Sequence, residues 1–179
     1  GPKTCEFEKK FNSYIGSQYA ISVNSATSAL HLSLNAIGVK KGDEVIIPTN
    51  TFVATAEAVL YCGAKPVLCD INSMTHNLEV ALIEELITSK TKAIIPVHFG
   101  GHPCEMDEIL RIAKQYNISI VEDAAHALPA QYQSKKIGTI GDATCFSFYA
   151  TKTLATGEGG MVTTDNKNIA EKIIHQRIH

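Results

Sequence analysis

Ser147-Phe148-Tyr149-Ala150-Thr151-Lys152-Thr153-Leu154-Ala155-Thr156-Gly157-Glu158-Gly159-Gly160 is the stretch around which the chain is organised. An alternating, β-rich run, Ala143-Thr144-Cys145-Phe146-Ser147-Phe148, leads into it, and a strand-like segment, Met161-Val162-Thr163-Thr164, leaves it. Its single lysine, Lys152, stands between Thr151 and Thr153, and the next carboxylate along the chain is Glu158. A lysine at a strand end, among small polar residues and glycines, can be desolvated. Desolvation lowers the amine's pKa and frees it to attack a carbonyl. The plainer reading is a surface lysine in a glycine-rich turn, since lysines are mostly exposed.

Working outward, strands and helices alternate with short connections. Thr4 reads as the cap of a first helix with Phe7, Phe11 and Tyr14 on one face, ending at Gly16. Tyr19 to Val23 is a strand, and Asn24-Ser25-Ala26-Thr27-Ser28 opens an Ala/Leu-rich helix ending near Gly38. Strand Glu44 to Ile47 stops at Pro48, and Thr49-Asn50-Thr51 caps a helix from Phe52 to Cys62. Strand Lys65 to Cys69, helix Val80 to Thr88, strand Lys92 to Val97, helix Glu105 to Tyr116 and strand Ile118 to Val121 follow, and a last helix starts after Asp165. This alternation predicts an α/β fold, a three-layer αβα sandwich with a mainly parallel sheet.

In such sheets ligands bind outside the carboxyl ends of the strands. Five polar clusters occupy those ends: Asn24 to Ser28, Thr49 to Phe52, His98 to Gly101, Asp123 to His126, and Ser147 to Lys152. They are expected to converge on one crevice.

Length and composition bound the rest. A chain of 179 residues makes one domain with a substantial core. Sixteen Lys+Arg against 18 Asp+Glu leave no electrostatic reason to expect nucleic acid or an acidic membrane. No apolar run has the length of a membrane span and no signal peptide opens the sequence. Cys5, Cys62, Cys69, Cys104 and Cys145 are odd in number, scattered, and without zinc spacing, so no metal site is expected. They read as reduced thiols of a cytoplasmic protein. Both ends read as cut: Gly1-Pro2 enters a helix with no preceding strand, and Arg177-Ile178-His179 stops within one.

The crevice chemistry is read cluster by cluster. Hydroxyls and N–H groups at the helix start after Asn24 make an anion site, or simply an N-cap. No GxGxxG or GxxxxGK[ST] run occurs, which removes the main signal for dinucleotide or P-loop binding. Asp123 follows an apolar strand beside small alanines, where a carboxylate could meet a protonated ring nitrogen or cap the next turn. His126 is a contact or a satisfied core histidine. Phe52 is a stacking platform or a core aromatic. Together these supply an anion cradle, a stacking face, an acid for a pyridinium and a lysine for an imine, the requirements of pyridoxal 5'-phosphate.

The runs Asn24-Ser25-Ala26-Thr27-Ser28-Ala29-Leu30, Pro48-Thr49-Asn50-Thr51-Phe52-Val53-Ala54-Thr55, Glu122-Asp123-Ala124-Ala125-His126-Ala127 and Ser147 to Gly160 resemble the DegT/DnrJ/EryC1/StrS aminotransferases. These are fold type I, pyridoxal-phosphate enzymes acting on nucleotide-linked keto sugars. The resemblance implies that Lys152 joins the cofactor and moves a proton, and that Asp123 holds the pyridine nitrogen protonated. His126 would bond the ring hydroxyl and Phe52 would stack on the ring. Thr27, Ser28 and Ser147 would hold the phosphate, assisted by backbone amides of the loop containing Ala26, which stands where the family usually has glycine. It also implies glutamate as amino donor, a homodimer with shared active sites, and a chain that is the cofactor-binding large domain without its C-terminal small domain. Tyr149-Ala150 before the lysine and Phe99-Gly100-Gly101 after His98 depart from the family's usual residues. Readings of another class are a non-catalytic cofactor-binding relative, and, among enzymes, another fold type I activity such as a desulfurase or retro-aldol enzyme.

Overall fold

Short runs rich in β-branched residues alternate with amphipathic ones, and the chain folds accordingly. The computed structural model describes residues 1–177; the expected continuation at Ile178 and His179 lies outside the described residues. The elements are α1 (Pro2–Ile15), β1 (Tyr19–Val23), α2 (Ala26–Ala36), β2 (Glu44–Pro48), α3 (Val53–Tyr61), β3 (Lys65–Cys69), α4 (Ile83–Leu86) and β4 (Thr91–Ile94). They continue with α5 (Met106–Tyr116), β5 (Ser119–Asp123), a small hairpin of β6 (Gln131–Tyr132) and β7 (Lys135–Lys136), β8 (Ala143–Ser147), β9 (Gly160–Thr164) and α6 (Lys167–Gln176).

Seven strands form one sheet in the order β1-β9-β8-β5-β4-β2-β3. The pairings from β3 across to β8 are parallel. β9 is antiparallel to both β8 and β1. It therefore runs against the other six, which accords with a mainly parallel sheet.

The period of two along each strand sorts the core into layers. Val45, Ile47, Val121, Cys145 and Val162 face α2, α3 and α6, packing with Leu30, Leu34, Val59 and Ile173. Their neighbours Ile46, Ile94 and Ile120 face the opposite layer, against Ile83 of α4 and Met106, Ile109 and Ile112 of α5. Phe146 and Met161 meet Phe11 and Ile15 of α1 on that same side. The result is an αβα sandwich whose central strands are buried on both faces, which is why β2 reads as an unbroken apolar run rather than an alternating one. Each large aliphatic side chain so buried contributes about 1.5–3 kcal/mol.

Several expected boundaries shift. α1 begins at Pro2 with Gly1 as its N-cap, because proline presets the first helical turn; Thr4 lies inside the helix rather than capping it. α3 starts at Val53, with extended Phe52 as a cap residue that offers no side-chain acceptor. The helix expected from Val80 to Thr88 is a 3-10 turn, Val80–Leu82, followed by the single turn of α4. β4 ends at Ile94, although Val97 still bridges to Asp123.

What positions the site is the run of strand ends along one edge. β2, β4, β5 and β8 all deliver their carboxyl ends there, and so does β1. Gly160, the first residue of β9, is the register partner of both Val23 and Ser147. A Cβ at Gly160 would sit 2.5 Å from the carbonyl carbon of Ser25, so only glycine lets β9 come this close to the start of α2.

Candidate active site

All five polar clusters meet. A cavity of about 410 Å³ at the strand ends is lined by Ser25, Ala26 and Thr27; Thr51 and Phe52; His98 and Phe99; Asp123, Ala125 and His126; and Ser147, Tyr149, Thr151 and Lys152. That volume lies in the range of small-molecule and cofactor sites. A second cavity of about 170 Å³ shares Ala125, His126, Ser147, Thr151 and Lys152 with the first.

The floor of the cavity is the end of β5. Adjacent residues of a strand point to opposite faces, so Glu122 and Asp123 part company. Asp123, 6% exposed, turns toward the cavity. Its Oδ1 accepts from the Ala125 N–H at 3.1 Å and its Oδ2 from the Thr55 hydroxyl at 2.8 Å. Among the described residues, no ion pair reaches it. Glu122 turns the other way and is fully buried. Its Oε1 accepts from Gly141 N–H and the Thr144 hydroxyl, each at 2.7 Å, and its Oε2 lies 2.9 Å from His98 Nε2. The Cys104 N–H donates to His98 Nδ1 at 3.1 Å, so Nε2 carries the proton shared with Glu122.

One end of the cavity is the first turn of α2. Ser25 is its N-cap, accepting from Ser28 N–H at 3.1 Å, and its extended backbone hands the helix start to the cavity. The first N–H groups of a helix lack intrahelical partners, so those of Ala26 and Thr27 are available at the positive end of the dipole. Ser147 lies across from them through Gly160. Ser28 does not line this cavity. Its N–H and hydroxyl are engaged by Ser25, and its side chain borders a separate depression beside His31 and Arg177.

Lys152 sits on the loop between β8 and β9, which is stapled at its base by Phe148 N–H to Gly159 O and Thr156 N–H to Phe148 O. Burial lowers the Lys152 amine below the ordinary lysine range, and the Asp123 carboxylate partly offsets this. His126 is also pushed down, first by burial and then by Lys152. Phe52 is 76% exposed at the rim, and so is free of the core role its sequence position allowed. Two residues that the sequence did not single out belong here, Thr55 and Glu158 on the cavity wall, together with the contact that ties His98 to buried Glu122.

These residues fit a cofactor carrying a carbonyl, a cationic ring and an anionic group. Among the described residues, Asp123 is a buried carboxylate in no ion pair, and the Ala26 and Thr27 N–H groups of α2 have no backbone acceptor. Burial lowers the Lys152 amine's pKa, which eases the proton loss that nucleophilic attack requires. The fold, an αβα sandwich around a mostly parallel seven-stranded sheet, is that of the pyridoxal-phosphate-dependent aminotransferases. The profile of the DegT/DnrJ/EryC1/StrS aminotransferase family matches residues 1–179, and the chain belongs to that family. It is 51% identical to the GDP-perosamine synthase of Caulobacter vibrioides over 94% of its own length and 45% of that protein's. Among solved structures it resembles DesV of S. venezuelae in complex with a ketimine intermediate, at TM-score 0.96 and 39% identity, covering 99% of this chain and 48% of that one. NtdA from Bacillus subtilis, solved with bound cofactor PMP, gives TM-score 0.93 at 38% identity, covering 98% and 40%. The chain spans about half the length of the curated relatives it matches. All five cysteines are free thiols, and no described helix is long and apolar enough to cross a membrane.

Proposed function

We propose that the cavity holds pyridoxal phosphate and that the protein transfers an amino group from an amino acid, glutamate in the simplest case, to a ketone on a nucleotide-linked sugar. The observation that carries this reading is the pairing, in one cavity, of an amine held below its usual range with a buried carboxylate that forms no ion pair among the described residues. PMP, bound in one solved relative, is the aminated form of the same cofactor. The relative named GDP-perosamine synthase supports a sugar nucleotide as acceptor.

The cofactor's part, once bound, is to act as an electron sink for the carbon bearing the amino group. The chain's residues do the rest. Lys152 Nζ would attach the cofactor and later carry a proton. Asp123 would hold a proton on the ring nitrogen. His126 would bond the ring hydroxyl, and Phe52 would cover one ring face. Thr27, Ser147 and the N–H groups of Ala26 and Thr27 would bind the phosphate. Ser28 would support that loop through Ser25 rather than touch the anion. In this reading the 179 residues are the cofactor-holding domain of a cytoplasmic homodimer, and sugar turnover needs a small domain and a partner subunit.

Borohydride reduction of protein incubated with pyridoxal phosphate, followed by peptide mapping, tests the assignment. The expected result is a pyridoxyl group on the peptide containing Lys152. A label on Lys135 or Lys136 instead would overturn it.

A further inference from the structure

The geometry points to a hydroxyl relay, Thr51 to Thr55 to Asp123, that fixes the direction of the Asp123 carboxylate, with Thr55 as a positioning residue for whatever cationic ring donor the cavity receives. The inference rests on the cofactor reading above, and goes beyond it by giving a role to a helix that otherwise only packs. Thr55 is fully buried in the first turn of α3 and does not line the cavity. It has one hydroxyl proton, which goes to Asp123 Oδ2 at 2.8 Å. The Thr51 hydroxyl lies 2.7 Å from the Thr55 oxygen. With Thr55's proton committed, Thr51 must donate, so the order of donors is fixed from the cavity wall inward.

The opposite carboxylate oxygen is held independently by the Ala125 N–H. One donor on each oxygen prevents rotation about the last side-chain bond, yet each oxygen keeps a second acceptor site. A carboxylate so held presents its remaining lone pairs in fixed directions. Without Thr55, the single Ala125 contact would leave the group free to swing. Val53 and Ala54 cannot substitute for Thr55, since they lack hydroxyls, and Asp123 has no other side-chain donor among the described residues.

The test uses Thr55→Val, which keeps the shape and deletes the hydroxyl, with Thr55→Ser as the conservative variant. Pyridoxal phosphate is the ligand, and the readouts are its dissociation constant and the pH midpoint of its absorbance change when bound. Thr55→Val should weaken binding roughly tenfold, the loss expected for a hydrogen bond to a charged group, and should shift the spectral midpoint. Thr55→Ser should restore both. Thr51→Val should move the midpoint in the same direction by less. In an Asp123→Asn background, Thr55→Val should change the midpoint no further. A Thr55→Val protein with the parent's affinity and midpoint would overturn the relay, as would an equal effect in the Asp123→Asn background. Should Thr55→Val fail to fold, an unmoved midpoint in Thr51→Val overturns it. If the parent protein takes up no pyridoxal phosphate, the cofactor reading itself has failed. If it does and the variants match it, only the relay has.

Discussion

The floor and the rim of the cavity are built on different terms. At the floor, Glu122, Asp123, Thr55 and His98 are all buried and each makes hydrogen bonds to neighbours on other elements. At the rim, Phe52 is 76% exposed, Tyr149 47% and Leu154 39%, and Lys152 is held by its loop's backbone rather than by side-chain partners. A buried polar group left unpaired is costly, so the floor must be complete before any ligand arrives. The rim carries no such obligation and can be completed by cofactor, substrate or another subunit. The floor is preorganised and the rim adaptable.

Damage to the floor should be the most expensive change. His98→Ala would leave the Glu122 Oε2 acceptor buried without its donor. A buried acceptor left without its donor costs about 1–3 kcal/mol, and more when it is charged. Equilibrium denaturation should therefore report a large drop in midpoint with an unchanged slope. A shift near zero would mean that the pair is not part of the floor's framework.

Asp123→Asn tests where floor and rim communicate. Loss of a charge aimed at the reacting group should lower single-turnover amino transfer on the order of 10²–10³-fold. The pH dependence supplies an independent sign. Burial already holds the Lys152 amine low and Asp123 opposes that fall. Deleting the charge removes the opposition, so the amine's pKa drops further and capture of pyridoxal phosphate reaches half-maximum at lower pH. An unmoved midpoint in the Asn variant would show that Lys152 does not sense Asp123.

The mildest change should be at the rim. Phe52→Ala removes a ring that the folded chain scarcely buries, so stability should stay within about 0.5 kcal/mol of the parent. Affinity for pyridoxal phosphate should fall more than stability does, because an aromatic face contributes about 0.5–1.5 kcal/mol when stacked. Equal losses of stability and affinity would make Phe52 a structural residue and blur the distinction between floor and rim.

The rim was the more legible of the two in the sequence. Lys152, Phe52, Thr27 and Ser147 follow strand ends, and a parallel sheet gathers strand ends whatever their spacing in the chain. The floor was partly hidden. Thr55 reads as an ordinary early-helix residue, and its partner Asp123 is distant in sequence, so only the fold reveals the contact. Glu122 beside Asp123 looks like one acidic strand end. Strand alternation already implies that one carboxylate faces the cavity and the other the core, a signal that was available. A run of hydroxyls at a helix start does not say which one caps; the fold shows that Ser25 does, with Ser28 N–H donating to it. The reversed direction of β9 was not legible either, since alternating residues carry no sense of direction.

That reversal also sets the order in which the molecule can be finished. β9 lies between β1, made near the start of the chain, and β8, made shortly before it. Until β9 is in place, β1 has no neighbour in the sheet, the Lys152 loop is anchored at one end only, and nothing presses on the Ser25–Ala26 peptide where α2 begins. Contacts between such distant segments close slowly, because a long loop must be ordered first. The lysine loop and the start of α2 both precede β9 in the chain, and it is the pairing of that strand with β1 and β8 that holds the two against one another.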